Sequence, residues 1–458
     1  MYDKNPKILE RNEKIGIIGA GLCGTLMAVR LAQLGYDVDL MERRGDMRKQ
    51  EVDAGRSINL ALSHRGLRAL EMIGLREQLD DDIIPMYGRL IHDTSGSTKL
   101  YKYSGREDEY INSVSRGGLN SELMTFAEKF EKVSIEFDAP CVDVNIDTNE
   151  LVLLKNGVEE NRKYDILIGA DGAGSALRQS FQKSSNRIRF DYAQKYLDTG
   201  YKELSIPPGE GASFQIEKNA LHIWPRDGHM MIALPNTDGS FTLTLFIKFE
   251  GDNSIAALES TEEAITFMKE HYGDAVPFMA ELEEEWVDNP TSSLGMIKCY
   301  PWVHKNSVLL GDSAHAIVPF YGQGMNCAFE DCVVLNELIE KHDHDWSLIL
   351  PAYQEHRKID ADAIGDLAID NFYEMRDDTA NPIFNRKRQI ELKLETDYPD
   401  YYSKYGLVTF RPDLRYHQAM DLGRRQDTLL MQIAEQYEDV TTVPYDEVYH
   451  QVKALANA

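Results

Sequence analysis

Gly19, Gly21 and Gly24 stand in the spacing G-x-G-x-x-G, and Glu42 follows at close to the ~20-residue offset of a ribose-binding acid. Each part has a physical task. Gly19 permits a tight turn, Gly21 lets the backbone approach a pyrophosphate, Gly24 lets a helix pack closely on a strand, and Glu42 accepts hydrogen bonds from ribose hydroxyls. The spacing alone is a weak signal, since a glycine turn that merely packs a helix on a sheet looks the same. A second candidate is Gly311-Asp312, followed by Gly322-Gln323-Gly324-Met325-Asn326 at the start of a helical stretch. A helix N-terminus offers unpaired N–H groups and about half a positive charge, which suits an anionic group. The competing reading of Asp312 is a turn or capping aspartate. Gly169-Ala170-Asp171-Gly172, with Arg178 shortly after, is the third candidate, against a strand-to-helix turn capped by Asp171.

The elements around these motifs decide the first case. Lys14 to Ile18 reads as a strand, Leu22 to Leu34 as a helix stopped by Gly35, and Asp37 to Met41 as a strand, together a βαβ unit. That context favours a dinucleotide, although FAD and NAD share the same ADP half. Tyr164 to Ile168 is a buried-type strand running into Gly169, and Ser307 to Leu310 is another running into Gly311. Pro85 to Tyr110 reads as turn-rich, and Asn120 to Lys132 as helical. Leu221 to Trp224, Met230 to Leu234 and Phe241 to Phe249, separated by Arg226-Asp227-Gly228 and Asn236-Thr237-Asp238-Gly239, predict an antiparallel sheet. Beyond Gly324 the chain reads as mostly helical, with a break at Asn381-Pro382, a turn near Phe410-Arg411-Pro412 and a helix over Asp427 to Tyr437.

Composition narrows the function. The 458 residues are 43% hydrophobic and 27% charged, as in a folded protein, and the length suits two or three domains or one large composite fold. A net charge of -27 argues against nucleic acid and against anionic membrane. Five cysteines without a Cys-x-x-Cys pair suit a reducing compartment and argue against a disulfide reductase. The first residues lack the apolar core of a secretory signal, and no apolar run approaches the ~18 residues of a membrane span. No second G-x-G-x-x-G occurs, so a separate Rossmann domain for a nicotinamide cofactor is not expected.

Longer strings carry a resemblance. Gly55 to Gly66 (GRSINLALSHRG), Leu221 to Arg226 (LHIWPR), Met230 to Asn236 (MMIALPN), His315 to Asn326 (HAIVPFYGQGMN), Glu374-Met375-Arg376 and Val408-Thr409-Phe410 resemble the kynurenine 3-monooxygenase family of flavoprotein aromatic hydroxylases. The match runs from Lys14 to about Ala419. It implies an α/β fold with a Rossmann-like FAD-binding domain of the para-hydroxybenzoate hydroxylase type in segments 1–80, 111–185 and 295–365. A substrate-binding sheet domain would take 81–110 and 186–294, and a helical C-terminal region 366–458. Implied too are bound FAD, NADPH and O2 as co-substrates, and hydroxylation of L-kynurenine in tryptophan catabolism toward NAD biosynthesis.

Carried over residue by residue, the family's substrate contacts fall on Arg89, Tyr103, Asn371 and Tyr405, with Tyr101 an alternative to Tyr103 because the loop 102–109 is longer here. Its FAD contacts fall on Gly19, Gly21, Cys23 and Gly24, on Glu42, Arg43 and Arg44, on Ala61, Arg116, Cys141 and Ala176, and on Asp312, Gly324, Met325 and Asn326. No catalytic base and no metal is expected, because the substrate's ring nitrogen already activates the carbon attacked. His222, His229 and His315 read as structural. Eukaryotic members of the family carry an apolar C-terminal anchor, whereas Asp421 to Ala458 is charged and polar, which implies a soluble, bacterial-type, cytoplasmic enzyme. A homodimer is compatible with the sequence. The rivals are a flavin hydroxylase of another aromatic acid and a non-catalytic FAD-binding protein.

Overall fold

A computed structural model describes residues 11–49, 59–374 and 381–456, so Gly55 to Ile58 and Met375-Arg376 of the strings above lie outside the described residues. Lys14–Ile18 forms an inner strand of a six-stranded sheet, its four last residues buried, as a strand covered on both faces requires. It pairs in parallel with Asp37–Met41 on one side and Ile166–Gly169 on the other. Val133–Glu136 and Ser307–Leu309 extend the sheet in parallel, and Val303–His304 closes one edge as an antiparallel hairpin. The helix Leu22–Gln33 packs on it through Leu26, Met27, Val29 and Leu31.

The second layer is a seven-stranded sheet, in the order Ser292–Tyr300, Asp191–Ile206, Phe241–Lys248, His229–Pro235, Leu221–Arg226, Gly88–His92, Thr98–Lys102. Two expectations are corrected here. Pro85 to Tyr110 is not mainly turns: it holds the strands Gly88–His92 and Thr98–Lys102, joined by a tight turn in which Asp93 Oδ1 accepts from the amides of Ser95 and Ser97. Thr98–Lys102 is an exposed edge, so it needs no apolar alternation to mark it. The sheet is also not wholly antiparallel, because the Arg89 strand lies parallel to Leu221–Arg226, which reaches it from a distant part of the chain rather than through a hairpin.

Two three-stranded sheets complete the β structure: Asn59–Leu62, Ile111–Ser115 and Ile83–Met86 in one, and Cys141–Asn145, Glu150–Lys155 and Val158–Lys163 in the other. The helix Gly324–Lys341 is buried along most of its length and joins the parallel sheet to the long helix Trp346–Tyr373. Pro382–Asp397, Lys404–Phe410, Tyr416–Gln436 and Tyr445–Ala456 form the C-terminal helices. Among the described residues no helix is long and apolar enough to cross a membrane.

Candidate active site

The three glycines of the first motif divide into two kinds. Gly19 has φ +102°, and a Cβ there would sit 2.6 Å from the Ala170 carbonyl oxygen; one on Gly24 would sit 2.1 Å from the Gly19 oxygen. Those two are required by the protein itself. A Cβ on Gly21 would meet nothing within 4 Å, so the space over the turn is open to a ligand at the N-terminus of the Leu22 helix. Glu42 ends the next strand and spans the same turn, its carboxylate accepting from the amides of Ala20 and Arg44, both at 3.0 Å. Arg43 and Arg44 are exposed beside it.

Asp171 makes the capping bond of its motif and a second bond that crosses to the Asp312 turn. Its Oδ2 accepts from the Ala176 amide at 2.6 Å, at the start of the helix Ala176–Lys183, and its Oδ1 accepts from Ser313 Oγ at 3.1 Å. Ser313 Oγ in turn accepts from the Gly172 amide, and Arg178 Nη1 donates to the Ser313 carbonyl at 2.9 Å. The Asp171 turn is thereby bolted to the turn that carries Asp312. Burial pushes the Asp171 carboxyl above its ordinary value. The Ala176 amide is used in this bond, so it is not a free donor. Cys141 begins a neighbouring strand, its thiol pushed by burial to about 12 and donating to the Asp143 carbonyl.

Gly311 brings the second motif against the first, since a Cβ there would lie 3.3 Å from Cys23 Sγ. Asp312 is exposed at this junction. In the helix Gly324–Lys341, the Cys327 amide bonds the Gln323 carbonyl at 2.8 Å, leaving the amides of Gly324, Met325 and Asn326 without helical acceptors. The Asn326 side chain, expected at the cofactor, is otherwise engaged. It accepts from the Ser63 amide and donates to the carbonyls of Ala61 and Gly322, so only its backbone amide is left for a ligand. Arg116 is exposed at the start of its helix and faces Glu203.

A buried ion network, missed from the sequence, fixes the Asp312 turn. Asp331 Oδ2 accepts from the Gly311 amide at 3.0 Å and meets His315 Nε2 at 2.6 Å. Arg357 donates to Asp331 at 2.7 Å and to Glu330 at 2.6 Å, and Arg65 pairs with Glu330 from the other side. Burial opposes charge on His315, but the Asp331 carboxylate outweighs it and lifts the imidazole well above its ordinary value. His315, Cys327 and Asp331 have the side-chain types of a metal site, yet Arg357 occupies both Asp331 and Cys327 Sγ, and its charge opposes a cation. Local sequence carries no signal for this network, since buried and solvated arginines on helices look alike.

Arg89, Asn371 and Tyr405 line one cavity with Tyr321 and a ring of charged side chains from the C-terminal helices. The Arg89 guanidinium lies 4.6 Å from the Tyr405 ring centre and 5.6 Å from that of Tyr103, and those two rings stack at 5.2 Å. Tyr101, the alternative, instead has its ring beneath Lys99. The Tyr103 hydroxyl is buried without a partner of normal geometry, and burial raises it well above the usual phenol range. Asn371 donates to the Phe320 carbonyl at 2.6 Å. The other cations of the cavity are paired: Lys387 with Glu391 and Asp427, Arg388 with Glu391, Lys404 with Glu374 and Asp427. Among the described residues Arg89 has aromatic neighbours and no carboxylate.

A parallel sheet with an open glycine turn, tied to the turn that carries Asp312 and accompanied by a cavity in which Arg89 meets Tyr405, is the plan of an FAD-dependent hydroxylase. The chain matches the family described as FAD binding domain over residues 12–367. Its fold is that of 2-methyl-3-hydroxypyridine-5-carboxylic acid oxygenase, at TM-score 0.66 and 20% identity over 86% of this chain and 99% of that one. A probable FAD-dependent monooxygenase from Pseudomonas aeruginosa aligns at TM-score 0.62 and 16% identity over 80% and 97%. Kynurenine 3-monooxygenase of Myxococcus xanthus is 42% identical over 93% of this chain and 91% of its own. That of Flavobacterium psychrophilum is 40% identical over 98% and 100%, and that of Dictyostelium discoideum 39% identical over 95% and 96%. The chain belongs to the kynurenine 3-monooxygenase family of FAD-dependent monooxygenases.

Proposed function

We propose that the chain hydroxylates L-kynurenine to 3-hydroxykynurenine, consuming NADPH and O2, in the cytoplasm. The observation that carries the substrate is Arg89, a cation without a carboxylate partner among the described residues, beside the orphaned Tyr103 hydroxyl. A planar guanidinium and a buried phenol donor complement the carboxylate of an amino acid. Asn371, Tyr321 and Tyr405 border the same cavity, and the two tyrosines supply aromatic surface for the aminobenzoyl ring.

Bound FAD supplies the redox chemistry, taking electrons from NADPH and activating O2. The open space over Gly21 would take its pyrophosphate, Glu42 its ribose hydroxyls, the free amides of Gly324, Met325 and Asn326 its flavin end, and Asp312 would suit the ribityl chain. Those amides and the helix dipole favour negative charge there. The residues of the cavity orient the substrate and exclude water; no side chain needs to act as a base, because the ring amine activates the adjacent carbon. The unpaired, buried or half-buried cysteines support the cytoplasmic location.

The test is NADPH oxidation by the purified protein with and without kynurenine, with products identified by mass. Formation of 3-hydroxykynurenine supports the proposal. Turnover of another aromatic acid and not kynurenine, or FAD retention with no turnover of either, refutes it.

A further inference from the structure

The Arg89 strand ends three residues later at His92, whose side chain emerges on the opposite face of the sheet. There His92 Nδ1 lies 2.7 Å from Asp274 Oδ2, His92 Nε2 lies 2.9 Å from His222 Nδ1, and His222 Nε2 lies 2.7 Å from the Glu217 carbonyl oxygen. Both ends of this chain are acceptors, so each outer ring nitrogen must carry a hydrogen. Two neutral imidazoles hold two ring hydrogens between them, and both are then committed outward. The central nitrogens would meet lone pair to lone pair at hydrogen-bond distance. A third proton removes that conflict. From this count we infer that His92 and His222 hold one extra proton between them, and that the charged pair is a positioning element for Arg89.

The neighbours assign the proton. Asp274 Oδ2 also accepts from Trp224 Nε1 at 2.8 Å; burial opposes its charge, but the bonds from His92 and Trp224 hold the carboxyl below its ordinary value, so it stays ionised. Burial lowers His222 to about 4, which keeps that ring neutral with its hydrogen on Nε2. The imidazolium is therefore His92, between a carboxylate and a neutral imidazole and stacked on Trp224 at 4.0 Å. Of the other charged groups, Arg226 donates Nη1 to the His92 carbonyl at 3.0 Å, Glu217 lies at the far end, and Lys99 is exposed on the edge strand.

The Arg89 strand joins the rest of its sheet through only three paired positions with Leu221–Arg226, and its other neighbour is the edge strand. The histidine bridge and the Arg226 bond hold its end. Deprotonating His92 sets two lone pairs against each other there, and the short strand loosens from its His92 end, three residues beyond the clamp. This second half rests on Arg89 as the substrate clamp; the proton count does not.

Nitrogen-15 spectra of histidine-labelled holoenzyme test the count directly, with three protonated ring nitrogens in the pair expected at neutral pH. Two neutral rings overturn the proposal. Kynurenine KM is expected to rise about fivefold on the alkaline step seen in the same spectra, with kcat and FAD content unchanged. His92→Gln should show the raised KM at every pH and lose the step. His222→Gln, whose amide still accepts from His92 and donates to Glu217, should retain it. Unchanged KM and pH profile in His92→Gln, or loss of kcat and FAD in parallel with KM, refutes a positioning role. Where His92→Gln does not fold, the parent spectra and His222→Gln decide. A parent enzyme that does not turn kynurenine over sinks the substrate reading instead and leaves the spectra to judge the count.

Discussion

Arg89 is the residue on which the proposed substrate turns. Lysine there would keep the charge but lose the planar fork, so Arg89→Lys should raise the kynurenine KM about ten- to a hundredfold with FAD content close to normal. An analogue lacking the carboxylate should bind the parent poorly and respond little to the substitution; equal losses for both ligands would remove Arg89 as the clamp. Glu42→Ala should shorten FAD retention through dialysis while leaving the flavin that remains bound catalytically competent. Full retention would displace the ribose from Glu42. The glycine motif was legible because its demands are local: Gly19 needs its positive φ and Gly24 its close approach wherever the rest of the chain goes. Arg89 beside Tyr103 and Tyr405 was not legible from local pattern, only from resemblance. Their meeting depends on the register of the antiparallel hairpin Gly88–His92/Thr98–Lys102 and on a helix some 300 residues further along the chain.

At the scale of elements, the helix Gly324–Lys341 does two things at once, presenting free amides at its start and holding the Asp312 turn through Asp331 one face further along. The His315 pair is stable below the raised imidazole value and above the lowered Asp331 value, a window that spans neutral pH. Asp331→Asn should therefore cost about 3–5 kcal/mol at neutral pH, because it leaves Arg357 and His315 without their shared carboxylate. Thermal unfolding with parallel flavin release measures it, and a variant that melts later without losing FAD would show that the turn holds itself. Some strands leave little mark in the sequence: Thr98–Lys102 has almost no buried face, and Asp191–Ile206 alternates only in its second half. Strands buried on both faces, such as Lys14–Ile18, announced themselves as apolar runs.

At the scale of the whole molecule, the proposed cofactor site draws on the turn after Lys14–Ile18, the turn after Ile166–Gly169 and the turn after Ser307–Leu309, three strands side by side in one sheet. FAD bound across them stabilises the sheet as a unit. Apoprotein should melt in one transition at lower temperature, and added FAD should raise Tm with its logarithm, about 2.7 kcal/mol of stabilisation accruing at 100 times Kd. A second transition insensitive to FAD would mean that the layers unfold independently. The order of those strands also has a consequence for biosynthesis. The strand leading to Asp312 is made after two-thirds of the chain, and pairings of such sequence separation form slowly. The nascent polypeptide has no complete flavin cradle until that segment clears the ribosome, so cofactor capture is a late event, and a chain stalled before residue 307 should emerge colourless.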